Sequence, residues 1–318
     1  IRLLVTPNDY DDFIFPECGL EAVDSTPFVR GGLGGVKSKH FPWHVAIFHR
    51  TAKQFLQICG GSLVRSNLVI TGKVHVTDYR VVGGSHLSSW NSTEIGRQEL
   101  EVCYCILHFE DDIAIIQLRT AFTFSDTVRA VCLDLTDTDL YTQQTSPGTM
   151  GKVAGWGLTE SGTRSEILYF LRVPVVERVE CIEKLPHNFK SFFTSDKICA
   201  GFTNGSAVCQ GDSGGGLVFP LQIANSSRQR WFLRGVLSNA PSTQDLKNRC
   251  PSNVFALYTD LSKHHIWLST QMADILPRGK SYFLDVTIRY QQINVSFLFE
   301  VMVVIFFRKI IIICTFNK

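Results

Sequence analysis

The stretch Cys209–Phe219, CQGDSGGGLVF, places one serine between glycines directly after an acidic residue. Ser213 is the candidate nucleophile. A serine hydroxyl is weakly nucleophilic at its free pKa, so attack on an acyl carbon needs a base within hydrogen-bond reach and donors for the oxyanion that forms. Glycines on both sides let the backbone fold tightly enough to aim the amide N–H groups of Gly211 and Ser213 at one point. The chemistry this spacing serves is acyl transfer.

Such a segment needs a rigid frame, and the rest of the chain supplies strands. Apolar runs punctuated by glycine or asparagine recur as QICGGSLV, NLVITG, YRVVGG, DIAIIQL, KVAGWG, ILYFLRVPVV, RWFLRGVLS and NVFALYT, with few helical periods between them. An all-β fold is expected. At 318 residues and 45% hydrophobic, the chain can bury a full core as one large domain or two coupled barrels. The net charge of +2 with scattered Lys and Arg excludes a nucleic-acid patch. Ten cysteines and the acceptor sites Asn91, Asn204, Asn225 and Asn294 fit an oxidising, glycosylating route, hence secretion. The start at Ile1, without Met or an apolar leader, reads as a fragment lacking its signal peptide and any upstream modules. No cofactor or metal is expected, and His264 and His265 read as surface residues of a closing helix.

The serine segment with Cys209 before it resembles the active-site segment of the chymotrypsin-like serine proteases. Four further stretches carry the same resemblance: Phe41–Pro42–Trp43 running on to Ile47, Cys59–Gly60–Gly61–Ser62–Leu63, Glu110–Asp111–Asp112–Ile113–Ala114, and Gly155–Trp156–Gly157. It implies two six-stranded antiparallel β-barrels with the active site between them and a short C-terminal helix from Ser262 to about Met272, with Trp267–Leu268 as its apolar pair. Residues 1–28 would be a linker or pro-segment, 29–275 the protease domain, and 276–318 an apolar tail outside the resemblance. By the same likeness Asp112 is the triad aspartate that holds a histidine in the right tautomer. Asp212 would pair with the ammonium exposed on activation, at Val29 if cleavage follows Phe28; cleavage after Arg30 would instead expose Gly31.

The histidine departs from the pattern. Family members run from the cysteine through GGSL to Thr-Ala-Ala-His-Cys, and an ungapped match puts Val74 at the base and His75 at the cysteine. A one-residue slip turns a side chain to the opposite face, so His75 could act only through a bulge. Cys59 would lose its usual partner. The loops after Val74 and before Asp112 are short, and Cys103 and Cys105 are extra there, too close for an easy mutual bridge. Gly72–Lys73 can be encoded GGTAAG, which contains an intron opening, and Gly279–Lys280–Ser281 offers the same. Residues 281–318, including Cys314, have the Ile, Phe, Asn and Lys content of translated AT-rich non-coding sequence. Retained intron is one reading of both departures. A membrane anchor is the rival for the tail, but Arg308–Lys309 splits its apolar runs short of a span.

The resemblance places Ala207 at the base of the specificity pocket, with Ala240 and Ala256 on its walls. That is a shallow apolar pocket for small or medium uncharged side chains. It also implies the bridges Cys18–Cys132, Cys181–Cys199 and Cys209–Cys250. Gly216, Cys18–Gly19, FPWHVAIF and LSNAP together resemble the modular serine proteases of arthropod humoral immunity. Two functions stand open: an endopeptidase acting on a protein substrate or zymogen partner, or a protease homologue that docks partners without cutting them.

Overall fold

The computed structural model describes residues 17–22, 40–74, 78–158, 162–203, 208–239, 254–275 and 311–313. Strands dominate. β1 (His44–Arg50), β2 (Phe55–Arg65), β3 (Leu68–Thr71), β4 (Tyr79–Gly83), β5 (Gln98–Leu107) and β6 (Ala114–Leu118) form an antiparallel sheet in the order β5-β4-β1-β2-β3-β6. β6 pairs back onto β5, with Ile106 opposite Ile115, and so closes a barrel. The short strand β13 (Ile311–Ile313), near the C-terminus, extends this sheet by pairing antiparallel with β5 beyond the end of β4.

The second sheet runs β8-β7-β10-β11-β12-β9, from β7 (Met150–Gly155), β8 (Tyr169–Pro174), β9 (Lys197–Ala200), β10 (Gly216–Gln222), β11 (Gln229–Asn239) and β12 (Ala256–Asp260). It curls until Val175, just past β8, bridges to Ala200 in β9. The expected architecture of two six-stranded antiparallel barrels is therefore present. Among the described residues three α-helices punctuate it: α1 (Thr138–Thr145), α2 (Arg178–Lys184) and α3 (His265–Ile275). The closing helix is preceded by a 3-10 turn at Leu261–His264. Its Leu268 is fully buried.

The strands are buried on both faces, β3 at all four positions, because each sheet packs on itself and against the other. Val45, Ile47, Leu63, Val69, Ile70, Val81 and Ile115 fill the first barrel, and their cluster continues through Val218, Leu233 and Val236 of the second. Val153, Val173, Leu217, Phe219, Leu237 and Tyr258 fill the rest of the second barrel. One packed body thus carries both halves of the site.

Part of the expected linker is packed instead. Cys18 bonds to Cys132, the Gly19 amide donates to Ala130 O at 2.8 Å, and Trp231 N donates back to Gly19 O at 2.9 Å. Gly19 sits at φ +66°, and a Cβ there would meet Trp231 O at 2.4 Å, so glycine is required. Glu21 holds the buried Lys152 ammonium at 2.7 Å. A buried ammonium must have a counter-charge, so this pair fixes the segment to β7. The Cys181–Cys199 bridge is also present. Cys209 is disulfide-bonded, while Cys250 lies outside the described residues, as does Cys314. Cys59 and Cys103 are thiols.

Candidate active site

Ser213 is half-buried on the turn between Cys209 and β10. Its carbonyl accepts the Gly60 N–H of β2 at 2.8 Å, which couples the two barrels at Ser213 itself. The amides around it are committed: Asp212 N to Cys209 O, Gly214 N to Leu237 O and Gly215 N to Asp212 O, at 2.8–3.0 Å. Those of Gly211 and Ser213 have no acceptor among the described residues. Two unspent donors on one tight turn are what an oxyanion pocket needs.

Asp112 lies on the turn from β5 to β6, pinned by His108 N to Ile113 O and Ile113 N to Asp111 O. Its carbonyl accepts Thr259 Oγ1 of β12 at 2.9 Å, tying it to the other barrel. Its Oδ1 accepts the backbone N–H of Lys73 at 2.5 Å. The strand end that carries Lys73 fits between Asp112 and the serine turn: a Cβ on Gly72 would lie 3.2 Å from Asp112 Oδ1 and 3.6 Å from Gly214 Cα. Thr71 Oγ1 donates to Gly60 O at 2.8 Å from the same strand end. Ser213 and Asp112 thus flank the end of β3.

Beyond Lys73, the Val74 side chain is only 6% exposed and belongs to the main core. His75 lies outside the described residues. Among the described residues no imidazole is bonded to Ser213 or to the Asp112 carboxylate. Cys59 stands nearby, and burial, with the Asp112 charge, pushes its thiol up to about 11 against a smaller pull from Arg164. It is therefore protonated near neutrality and a poor nucleophile.

Asp212 is buried, and burial raises its carboxyl to about 6, opposed by N–H donors from Cys209 at 2.9 Å and Gly157 at 2.6 Å and by the Arg164 charge. A Cβ on Gly155 or Gly157 would lie 1.9 or 2.3 Å from its carboxylate oxygens. The Gly–Trp–Gly motif is accordingly a floor shaped for this acid. Val29 and Gly31 lie outside the described residues, and among those described Arg164 is the cation acting on Asp212.

Sequence reasoning missed the clamp around Gly211. Gln57 Nε2 donates to Gly211 O at 3.0 Å, and Arg164 Nη1 donates to Gln57 Oε1 at 2.7 Å. It also missed His44, buried against Trp156 with ring centroids 5.0 Å apart and with no partner for Nε2. Burial holds that imidazole down to about 4. A polar residue inside an apolar run gives no local signal for either role.

His264 corrects the surface reading: it is 4% exposed, whereas His265 is exposed. Of the expected pocket, Ala256 is buried at the start of β12 opposite Ala200; Ala207 and Ala240 lie outside the described residues. Asn91 and Asn225 are exposed, Asn225 at φ +57°. Asn204 and Asn294 lie outside the described residues. No helix among the described residues is long and apolar enough to cross a membrane.

Residues 32–265 match the family model described as Trypsin. Clotting factor C of Tachypleus tridentatus is 31% identical over 249 residues, 70% of this chain and 24% of that protein. Serine proteinase stubble of Drosophila melanogaster is 30% identical, over 70% of this chain and 29% of its own length. CLIP domain-containing serine protease B4 of Anopheles gambiae is 26% identical, over 80% of this chain and 72% of its own length. The chain thus spans about a quarter of the length of clotting factor C. The match covers well over half of the chain and both flanks of the site, and the protein belongs to the trypsin family.

Proposed function

We propose that this protein is a secreted member of the family built as an endopeptidase, with Ser213 as the acyl-forming nucleophile, Asp112 as orienting acid and the Gly211 and Ser213 amides as oxyanion donors. With Val74 in the histidine's place, it engages protein partners in the cleft without cutting them. The observation that carries this reading is the buried Val74 directly after Lys73, whose amide Asp112 holds. An isopropyl group cannot accept the Ser213 proton, and loss of the base in such a triad costs roughly a millionfold in turnover. The kinship with a clotting factor and a CLIP-domain protease points to a cascade of limited proteolysis as its setting.

A second reading has its own support. The Asp112 carboxylate at the Lys73 amide and the unspent N–H groups of Gly211 and Ser213 support it: a base delivered by His75 would complete an active endopeptidase with a small apolar pocket formed by Ala207, Ala240 and Ala256. In that form Asp212 locks an ammonium at Val29. Fluorophosphonate labelling separates the two: no labelling of Ser213 in the chain as written supports the docking reading, and labelling abolished by Ser213→Ala overturns it. Transcript sequencing across Gly72–Lys73 and Gly279–Lys280 tests the retained-intron origin of the altered strand end and of the 276–318 tail; uninterrupted coding reads at both would remove it.

A further inference from the structure

Behind the Asp112 turn, His108, Asp111 and His264 converge from the end of β5, the β5–β6 turn and the 3-10 turn before α3. Asp111 Oδ2 lies 3.3 Å from His108 Nδ1 and 3.8 Å from His264 Nδ1. One ligand atom from each residue lies within 4.8 Å of the other two. The imidazoles meet at 5.1 Å and 72°, with Trp267 edge-on to His108. His264 is buried and its Nε2 has no hydrogen-bond partner.

We propose that these three side chains bind a divalent transition-metal ion, Zn²⁺ by chemical class. Tetrahedral zinc with bonds of about 2.0–2.1 Å holds its ligand atoms about 3.3 Å apart, and two imidazoles with a carboxylate are a familiar donor set for it. The Asp111–His108 separation already has that value, and the other two, Asp111–His264 at 3.8 Å and the one between the imidazole donors, within 4.8 Å, close by side-chain rotation. His108 Nδ1 now accepts the Asp111 backbone N–H at 3.1 Å; the ion would take over this lone pair and leave that amide, on a partly covered turn, to water. If His264 ligates through Nδ1, its Nε2–H points toward Asp196 Oδ2, 3.7 Å away. Asp196 is itself held by Thr194 and Lys197. A carboxylate behind a ligating histidine fixes the ring and strengthens it as a donor. His108 and Asp111 are only partly covered, which gives the ion a way in and leaves the fourth position to water. Because Asp111 precedes Asp112, the ion would brace the turn that carries the triad acid. The site does not depend on which functional reading holds.

The test uses the whole chain, stripped with EDTA and titrated with Zn²⁺ by calorimetry and with Co²⁺ by visible absorption. One equivalent should bind with micromolar or tighter affinity. His108→Asn and Asp111→Asn should each weaken binding by roughly tenfold or more, while His265→Asn, on the exposed neighbour, leaves it unchanged. Zn²⁺ should also raise the Tm of the unsubstituted chain and leave that of Asp111→Asn unmoved. No saturable binding up to about 100 μM, or binding that persists in both the His108 and Asp111 variants, overturns the proposal.

Discussion

The two strand ends that meet at the site have fared differently. On the nucleophile side, each of Asp212, Gly214 and Gly215 donates its amide to a fixed carbonyl, and the serine's own carbonyl is tied to Gly60. On the facing side the same frame persists through Thr71 and Lys73, whose hydroxyl and amide bond to Gly60 O and Asp112. One residue later an aliphatic side chain turns into the core. The difference teaches that backbone hydrogen bonds and glycine contacts hold this frame, while the proposed proteolysis would rest on a single side chain that the frame does not need.

The strongest way to break that comparison is to restore the base. Val74→His combined with His75→Cys places an imidazole after Lys73 and offers Cys59 a partner. If the frame is intact, fluorophosphonate labelling of Ser213 and hydrolysis of peptides with small apolar residues should rise by at least a thousandfold, toward the roughly millionfold that a triad base contributes. Ser213→Ala in the same background should abolish both. No gain in a folded double variant would show that the nucleophile side has been lost as well.

A second test strikes the frame itself. Gly214 sits at φ +81°, and a Cβ there would fall 2.2 Å from Thr71 Oγ1 and 2.5 Å from Gly60 O. Gly214→Ala should cost about 3 kcal/mol or more in urea unfolding, through strained backbone and a broken Thr71–Gly60 contact. A loss below about 1 kcal/mol would mean that the two strand ends do not depend on this approach.

Acid titration sharpens the comparison, since one buried group from each side opposes the other. Asp212 is raised from 3.8 to about 6, so between those values the folded protein holds a proton the unfolded chain has lost, and acidification stabilises. His44 is lowered from 6.5 to about 4, so in nearly the same window the unfolded chain holds a proton the folded protein lacks, and acidification destabilises. Each shift of about two units corresponds to about 3 kcal/mol, and the two largely cancel. Relative to wild type, His44→Gln should therefore gain about 3 kcal/mol as pH falls from 7 to 4, and Asp212→Asn should lose a similar amount. Parallel curves for all three proteins in denaturant midpoint against pH would refute both assignments.

What could be seen in advance divides along the same physical line. The strands and the Cys18–Cys132 and Cys181–Cys199 bridges were legible, because strand patterning is local and the bridges come with the family pattern, which also singled out Ser213 and Asp112 as the candidates that the structure sets on either side of the end of β3. The buried polar groups were not. His264, Arg234, Lys152 and His44 are all under 9% exposed, and each is buried by elements distant in sequence. Arg234 donates from Nε to Gln144 and from Nη1 to the Asp134 carbonyl, and Lys152 is paired with Glu21. A lone charged residue in a strand reads as an outward-facing one until its partner is known. The Cys18–Cys132 bridge was expected to tie the segment down, but its second anchor, Glu21 on Lys152, was hidden for that reason, since the two are more than a hundred residues apart.

The smallest expected effect is the most discriminating for the strand end. Gly72 faces the same gap as Gly214 from the other side, but its backbone is not in the left-handed region. A Cβ there would lie 3.2 Å from Asp112 Oδ1 and 3.6 Å from Gly214 Cα, close but yielding, because the nearest atom is a carboxylate oxygen that can move by a few tenths of an ångström. Gly72→Ala also removes conformational freedom from the unfolded chain, worth about 0.4–1 kcal/mol where the native backbone accepts alanine. The two contributions oppose, so the net change in stability should stay within about 1 kcal/mol, and Asp112 should keep the Lys73 amide. If Gly72→Ala instead costs as much as Gly214→Ala, the gap between acid and nucleophile is narrower than a methyl group. An imidazole restored at position 74 would then find its two partners already too tightly closed.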